Sequence, residues 1–337
     1  MNKKNTVTLK EVAKLAGVSA MTASRALRKA KDVSNATIEK VERAAADLGY
    51  VGNSFAGSLS SKRSDLVAVI MPSLTNTVFP EVLGGVNESL EAGGLQPVFG
   101  LSEYSAEKEA SIVRRLLAWN PAGVILPGVD QLPEIRELLD NAGVPVVQVM
   151  DLSSDPIDCQ VGFSHTQSGI RMATELLGRG YSSFAYIGGG VGRDIRAEKR
   201  RDGFRSALLQ AGCDWTSQFI ETQSSSIELG GELMNAVHRR QLPQVLYCAN
   251  DDIAAGAVFE CMRLGIQVPT QLVVVGFNGL SITDALPVQI VTDRSPRYAM
   301  GQAAGDMIVD AIEQGGTRLG VQLKMQPQLD WGDLKDN

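Results

Sequence analysis

The sequence contains few of the residues that carry catalysis or bind metals. Of its 337 residues only His165 and His238 are histidines, and the four cysteines show neither metal-ligand spacing nor a disulfide framework. No catalytic triad or carboxylate pair is evident, and no lysine and serine follow the glycine-rich stretch at 188–192, as a phosphate-binding loop would require. The sequence therefore predicts a protein that is not an enzyme and has no cofactor or metal site, with reduced thiols.

Long apolar runs are also missing. No stretch approaches the roughly 18 apolar residues that a membrane-spanning helix needs, and the polar N-terminus does not resemble an export signal. We therefore expect a cytoplasmic protein. With 337 residues and 44% hydrophobic content, the chain is long enough for a small domain followed by a body of two subdomains.

Residues 7–50 carry the start and stop signals of three short helices. Thr8 and Glu11 have the spacing of a capping box, which predicts the start of the first helix. Ser19 begins the second helix after a short turn, Ser34 begins the third, and glycines end the first and third. Because the turn between the first two helices is so short, they must cross steeply, as in a helix-turn-helix.

The second helix has one face suited to packing and one suited to nucleic acid. Ala23, Ala26 and Leu27 are spaced to face the other two helices. On the outer face, Met21 can contact a thymine methyl group and Arg25 can reach guanine or phosphate. From composition alone, a plain three-helix bundle with a solvated polar face fits about equally well.

The distribution of charge favours nucleic acid. Residues 1–63 contain 12 lysines and arginines against 5 aspartates and glutamates, a net charge of +7. The remaining residues contain 20 against 33, a net charge of −13, so the whole-chain value of −6 hides the contrast. A basic head on an acidic body directs a polyanion to one end of the chain.

The order of residues in the head resembles a known family. The patterns T-L-x-x-V-A-x-x-A-G-V-S, T-x-S-R and V-S-x-x-T-x-x-K-V run from Thr8 to Val41, as in the DNA-binding headpiece of the lactose-repressor (LacI/GalR) family. The resemblance implies a headpiece over residues 1–50 whose second helix enters the major groove of double-stranded DNA. Ala20 and Met21 would dominate operator choice. The implied DNA contacts in the headpiece are Thr8, Ser19, Ala20, Met21, Thr22, Ser24, Arg25, Asn35 and Tyr50.

Residues 51–63 are a poor helix on their own. Glycine and serine are frequent there, so we expect disorder until DNA is bound. Without the headpiece, a flexible linker would be the preferred interpretation. The family resemblance instead implies a hinge helix in the minor groove, with Leu59 wedged between base pairs and Asn53 and Ala56 beside it.

From Asp65 onward, short apolar runs alternate with amphipathic helical stretches. This pattern predicts an α/β class with parallel sheets covered on both faces. The runs are at 66–71, 123–126, 144–149, 183–187, 245–248 and 272–275. They are too many for one sheet, so we expect two doubly wound subdomains with a ligand cleft at the carboxyl ends of their strands.

The family resemblance extends to this body, residues 64–337. It implies the type I periplasmic-binding-protein architecture, with effector binding and dimerisation in this domain. The first subdomain would comprise about 64–162 and 294–320, and the second about 163–293 and 321–330.

The resemblance also places a ligand pocket. The implied effector-binding residues are Ser73, Asn76, Phe79, Asp151, Phe163, Arg200, Ser225, Asn250, Asn278 and Arg297. Asn278 replaces an acid of the family pattern and Arg297 replaces an aromatic side chain, which would make the cleft more positive and favour a carboxylate. Arg297 could alternatively serve in a salt bridge or as a polar core group. We interpret the charge run at 193–201, apart from Arg200, as a solvated helix face.

Several body motifs resemble a narrower group, the gluconate-utilisation repressors. Examples are PSLTNxVFxEVL, GxPVVxxMD and NDDxAxGAxFECxRLG. They imply an effector such as gluconate, or a related keto or phospho sugar acid, that relieves repression. The alternatives are a neutral sugar or purine-like corepressor on the same fold, or a solute-binding protein, which should have an export signal and no basic head.

The C-terminal part of the chain sets the expected assembly. No leucine heptads follow the helix predicted at 300–312, so the extra tetramer-forming helix known in the family is not expected. A two-fold, pseudo-palindromic operator needs two recognition helices. We therefore expect a homodimer.

Overall fold

A computed structural model describes residues 7–30, 32–50, 64–190, 192–316 and 320–334. The chain divides into two compact units, Met1–Ser64 and Asp65–Asn337, which we call the headpiece and the body. The predicted hinge contacts Asn53, Ala56 and Leu59 lie outside the described residues.

The headpiece contains the three predicted helices, α1 (Leu9–Ala16), α2 (Ala20–Leu27) and α3 (Asn35–Leu48). The capping box at the start of α1 is confirmed, because the Thr8 N–H donates to the Glu11 carboxylate at 2.7 Å. Glycines with positive φ end α1 and α3, as predicted. The buried core is made mainly of small side chains, Val12, Ala13, Ala16, Ala23, Ala26, Val41, Ala44 and Ala45. Small side chains allow short helices to approach closely.

The body begins with a predominantly parallel α/β succession. Its elements are β1 (Leu66–Met71), α4 (Val78–Ala92), β2 (Gln96–Leu101), α5 (Ala106–Leu117), β3 (Gly123–Pro127), α6 (Pro133–Ala142), β4 (Val146–Val149) and β5 (Cys159–Gly162). The chain then crosses to the second half of the body.

The second half repeats the pattern. Its elements are α7 (His165–Gly178), β6 (Phe184–Gly188), α8 (Ile195–Gln210), β7 (Trp215–Ile220), α9 (Ile227–His238), β8 (Val245–Cys248), α10 (Asp251–Leu264), β9 (Val273–Val275), α11 (Ser281–Ala285), β10 (Thr292–Arg294), α12 (Arg297–Glu313), β11 (Gln322–Lys324), β12 (Gln328–Asp330) and a 3₁₀ turn (Gly332–Leu334).

The strands form two parallel sheets and a short ribbon. The first sheet has the order β11-β5-β4-β3-β1-β2, and the second has the order β7-β6-β8-β9. All pairings within these two sheets are parallel, whereas β10 and β12 pair antiparallel. Apolar cores cover the strands from helices on either side. The predicted doubly wound α/β class is therefore confirmed.

One assignment from the sequence needs correction. Residues 321–330 were expected in the second subdomain, but β11 extends the first sheet by pairing with β5, with Leu323 opposite Val161. Within this segment, it is β12 that pairs with an element of the later part of the chain, the strand β10. The exposed, mixed sequence of β11 gives no periodicity from which this pairing could be predicted.

The packing of α4 against α12 fixes one side of the first sheet. A side chain at Gly301 would overlap the backbone of Val82, and one at Gly85 would overlap the carbonyl of Tyr298. The two helices therefore approach closely at these two glycines. As a result, α12 packs against α4, the helix that follows β1. Among the described residues, no helix is long and apolar enough to cross a membrane.

Candidate operator face and ligand cleft

The outer face of α2 is exposed, as a DNA-reading surface requires. Met21 is 73% exposed, and Ala20 and Arg25 are also exposed. The Ser19 hydroxyl caps the helix by accepting the Thr22 N–H at 3.0 Å. The cap orients the first turn of α2, where the remaining free amide groups are available to a phosphate oxygen.

The other predicted headpiece contacts lie at different degrees of exposure. Thr8 and Asn35 are exposed at the starts of α1 and α3, while Ser24 and Tyr50 are partly buried. Arg25 forms an ion pair with Asp32 within the headpiece. A DNA contact by Arg25 would therefore have to replace or share this carboxylate.

A cavity of about 130 Å³, the first cavity, lies in the body where strand ends of both halves meet. Its lining residues follow β1, β2, β6, β7 and β8, which are carboxyl ends of parallel strands. The lining is Ser73, Thr75, Asn76, Tyr104, Gly189, Gly190, Arg193, Asp194, Ser224, Ser225, Asn250 and Asp252. Four predicted effector residues, Ser73, Asn76, Ser225 and Asn250, are thus brought together.

Local structure holds these polar groups in place. The Asn76 amide donates to the Tyr104 hydroxyl at 3.0 Å, which joins the segments after β1 and β2. The Asn250 carboxamide caps α10 by accepting the Ile253 N–H at 3.1 Å. Burial raises the pKa of Asp252 above its usual range. The cavity therefore has a preorganised set of hydroxyl, amide and carboxyl groups.

A smaller space of about 30 Å³, the third cavity, adjoins the first at Asn76, Asp194 and Asn250. It contains three further predicted effector residues, Phe79, Arg200 and Asn278. Together, the two cavities gather seven of the ten residues predicted to bind the effector.

Arg200 is only 5% exposed and its guanidinium is already engaged. It donates to the carbonyl of Ala249 at 2.9 Å and contacts His165 Nδ1 at 2.8 Å. Its Cζ lies 3.8 Å from the centre of the Phe277 ring. Arg200 therefore connects three segments beside the cleft in addition to lining it.

His165 completes this connection. Its Nε2 lies 2.9 Å from the carbonyl of Met150, so a ring that accepts from Arg200 at Nδ1 donates to Met150 at Nε2. Burial, reinforced by the charge of Arg200, lowers the pKa of His165 well below its usual range. The imidazole is consequently a neutral bridge between the end of β4 and α8.

A second cavity of about 100 Å³ lies beside the ends of β1, β2 and β3 and shares Tyr104 and Arg193 with the first cavity. Arg196 lines both the second and third cavities, with its guanidinium 5.6 Å from the centre of the Phe79 ring. The interpretation of 193–201 as a solvated helix face apart from Arg200 is therefore wrong for Arg196, which is partly buried, whereas Arg193 lines two cavities but is exposed. No spacing in the sequence indicates these positions, because Arg193 lies in the turn before α8 and Arg196 is only the second residue of that helix.

Asp151 has a different environment from the one expected of a ligand-binding group. It is 2% exposed, and its carboxylate accepts from Lys199 Nζ at 2.7 Å. The same ammonium lies 2.8 Å from Asp130. Lys199 on α8 therefore ties together the segments that follow β3 and β4, and Asp151 is not among the residues lining the three cavities.

Arg297 also has its charge satisfied elsewhere. Its Nε and Nη2 donate to the Glu81 carboxylate at 3.0 and 2.9 Å, a bidentate pair. It further donates to the carbonyls of Asn278 and Gly279. The expectation that Arg297 makes the cleft more positive is not met, because Glu81 neutralises it. Arg297 instead positions Asn278, which lines the third cavity with a positive φ of 109°.

Phe163 is a core residue in this structure. It is 3% exposed, and its ring centre lies 4.6 Å from that of His165 and 6.0 Å from that of Phe277. It does not line the three cavities and so does not act as the expected apolar platform. It supports His165 instead.

The cations around the cleft fall into two groups. Lys199 and Arg297 form ion pairs with internal carboxylates, and Arg200 is engaged by His165 and a carbonyl. Within the described ranges, no carboxylate lies at ion-pair distance from Arg193 or Arg196. These two arginines are the positive charges of the cleft that remain available to an anion.

Comparison with known families matches both units of the chain. Residues 8–53 match the family described as bacterial regulatory proteins, lacI family. Residues 64–326 match the family described as periplasmic binding proteins and sugar binding domain of the LacI family. The second match covers most of the chain and agrees with the two parallel sheets.

Individual relatives agree with these matches. The HTH-type transcriptional regulator GntR of Pseudomonas aeruginosa is 40% identical over 309 residues, covering 90% of this chain and 89% of that protein. A LacI-family transcriptional regulator from Silicibacter pomeroyi has a TM-score of 0.92 at 39% identity, covering 97% and 98% of the two chains. The lac repressor dimer bound to operator and the anti-inducer ONPF has a TM-score of 0.81 at 25% identity, covering 97% and 98%. The chain therefore belongs to the LacI family of bacterial helix-turn-helix transcriptional regulators.

Proposed function

We propose that the protein is a transcriptional repressor whose affinity for operator DNA is lowered by a sugar acid such as gluconate. The observation that carries this proposal is the composition of the cleft. Hydroxyl and amide groups from both halves of the body line one cavity, beside two arginines without a carboxylate partner among the described residues.

The chemistry of the first cavity suits a linear polyol. Ser224 and Ser225 each offer a hydroxyl that can donate and accept, which complements a ligand hydroxyl. The hydroxyls of Ser73 and Thr75 also line the cavity, where they bond to each other at 3.0 Å. The cleft cations Arg193 and Arg196 complement a carboxylate. A neutral sugar would leave these charges without a partner, so a sugar acid fits better.

The proposal assigns DNA recognition to the headpiece. Residues 1–50 would bind the operator, with Ala20 and Met21 reading bases from the exposed face of α2. Residues 51–63 would form the hinge that inserts into the minor groove, and residues 64–337 would bind the effector. A cytoplasmic homodimer on a pseudo-palindromic operator completes the proposal, supported by the lac repressor dimer as a relative.

The proposed switch uses the fact that the cleft is built from both halves of the body. Ser73 and Asn76 follow β1 in the first half, whereas Ser225 and Asn250 follow β7 and β8 in the second. A ligand that bonds to both groups favours one relative position of the halves. The resulting change in operator affinity cannot exceed the ligand's own preference for that position.

Operator binding with and without gluconate tests the proposal. A duplex selected by the full-length protein from a random pool can be labelled and followed by fluorescence anisotropy at fixed salt, since phosphate contacts make affinity salt-dependent. We expect gluconate to weaken binding about tenfold or more, within the usual 1–3 kcal/mol of allosteric coupling. Glucitol, which has the hydroxyls without the carboxylate, is the matched control and should have little effect.

Two outcomes would contradict parts of this proposal. Tighter binding with gluconate would make it a corepressor. An unchanged affinity, combined with no thermal stabilisation by gluconate, would remove it as the effector while leaving the operator binding itself intact.

A further inference from the structure

The second cavity differs from the first in the kind of hydrogen-bonding group that it leaves available. Ser102 lies at its wall and is 2% exposed, and its hydroxyl has no partner among the described residues. Buried hydroxyl groups nearly always have a hydrogen-bond partner. The Ser102 hydroxyl is therefore available to a polar group that enters this space.

Some of the other polar groups of the cavity already have a hydrogen-bond or ion-pair partner, and others remain available to a ligand. The Gln131 amide donates to the carbonyl of Pro127 at 3.1 Å and its oxygen accepts from Gln148 at 2.7 Å. Asp130 pairs with Lys199, whose ammonium it shares with Asp151. Arg193 and Arg196 have no carboxylate at ion-pair distance within the described ranges. What remains available is mainly positive and hydrogen-donating.

Glu109 is the acid of the cavity lining that does not pair with Lys199. It is mostly buried near Gln131 and Arg196, and burial raises its pKa to about 7, although hydrogen bonding from Gln131 and the charge of Arg196 act in the other direction. Near neutral pH its carboxyl group is therefore partly protonated. In that form it is a hydrogen-bond donor as well.

The position of the cavity relates it to the proposed ligand. It shares Tyr104 and Arg193 with the hydroxyl-lined first cavity, so one extended molecule can reach both. The first residue of α5 also lines the second cavity. The N-terminal end of a helix carries a partial positive charge. Two guanidinium groups, a free hydroxyl and a helix start converge on the same space.

We propose that the second cavity is the subsite for the effector's carboxylate, with Arg196 and Ser102 as its partners and protonated Glu109 as a third donor. This inference rests on the proposed sugar-acid effector. It assigns the polyol part of the ligand to the first cavity and the acid to the second. It also makes Glu109 a residue whose protonation is coupled to binding.

The sign of the resulting pH dependence follows from the charges. An ionised Glu109 repels the ligand carboxylate and competes for Arg196, whereas a protonated one does neither. The other titratable or charged groups that line the cavity are Arg193, Arg196, Tyr104 and Asp130, and Asp130 pairs with Lys199. Of these, Arg196 acts on Glu109 through its charge. Burial raises the pKa of Tyr104 above its usual range near 10, so it stays protonated at neutral pH. Affinity should fall as the pH rises through about 7.

Isothermal titration of the full chain with sodium gluconate at pH 6, 7 and 8 tests this proposal. We expect Kd to rise on the order of tenfold between pH 6 and 8, because binding is then coupled to uptake of up to one proton. Glu109→Gln should bind with a nearly constant Kd close to the value of the unmodified protein at pH 6. Ser102→Ala should weaken binding severalfold at every pH.

Arg196 provides the charge test. Arg196→Gln should weaken gluconate binding at least tenfold, and Arg196→Lys should recover part of the loss. Arg201→Gln is the matched control, because Arg201 lies on the same helix, pairs with Asp202 and does not line the cavities. Thermal unfolding of each variant without ligand separates a folding defect from a binding defect.

A second anion distinguishes the failure of this inference from the failure of the proposed function. If gluconate binds the unmodified protein but neither Arg196→Gln nor Glu109→Gln changes its affinity or pH dependence, the subsite is overturned and the function stands. If gluconate does not bind but millimolar sodium phosphate stabilises the protein only when Arg196 is present, the cavity is an anion site and the sugar-acid function is overturned. If neither anion binds, both are overturned.

Discussion

In the headpiece, the side chains expected to read DNA lie on the outside of a helix, where Met21 is 73% exposed. In the cleft of the body, Arg200 lines the ligand cavities but is only 5% exposed and holds His165 and the Ala249 carbonyl. The first kind of residue can change without affecting the fold. The second kind links ligand binding to stability, so a substitution there alters both.

The largest expected effect is that of Arg200→Met. The change leaves His165 Nδ1 and the Ala249 carbonyl without their partner in a buried position, and should lower the free energy of unfolding by about 3 kcal/mol. Urea unfolding followed by tryptophan fluorescence measures it, because all three tryptophans, Trp119, Trp215 and Trp331, belong to the body. Arg201→Met is the control. A loss below about 1 kcal/mol would show that the cleft does not couple ligand contacts to stability.

A smaller loss is expected from Lys199→Met. Asp151, which is 2% exposed, would keep its charge without the ammonium that neutralises it, at a cost of about 2 kcal/mol because Lys199 itself is partly exposed. The same fluorescence measurement applies. Lys108→Met, which removes a more exposed pair with Glu103, should cost less than about 0.5 kcal/mol. Equal losses in the free energy of unfolding would contradict the expectation that the Asp130–Lys199–Asp151 pairs stabilise the body more than an exposed pair does.

Met21→Ala should have the smallest effect on stability, within about 0.5 kcal/mol by far-UV circular dichroism. Its operator affinity should nevertheless fall about fivefold if the side chain contacts a thymine methyl group. Leu15→Ala, an exposed apolar position on α1 outside the predicted DNA contacts, is the control. A large loss of stability from Met21→Ala would remove the contrast between the two regions.

The sequence predicted the headpiece helices and most of the buried strands well, because their signals are local. Capping residues placed the starts of α1, α2 and α3, and apolar runs identified β1 and β8 with the observed bounds. It did not predict β2 or β7, which lie at sheet edges, have one buried residue each and include proline, glycine or polar residues. Strands that are buried on both faces form recognisable apolar runs, and these two mostly uncovered strands do not.

The candidate cleft was predicted in outline but not in its charges. The family resemblance assigned Ser73, Asn76 and Asn250 to the pocket, at the ends of predicted strands. Whether an arginine is available to a ligand depends on a partner far away in the sequence. Glu81 neutralises Arg297 across 216 positions, whereas Arg196 has no such carboxylate among the described residues. No periodicity or spacing reports that difference.

Two segments that line the first cavity also differ in how freely their residues could vary during evolution. Ser224 and Ser225 make no side-chain hydrogen bonds within the part of the chain that the structure describes. Asn250, which follows β8 in the same lining, also caps α10, and its neighbour Asp251 accepts from Leu280 and Thr292 in the interior. A change of effector is thus open to descendants of this regulator mainly through the serine loop, while the asparagine is inherited along with the fold.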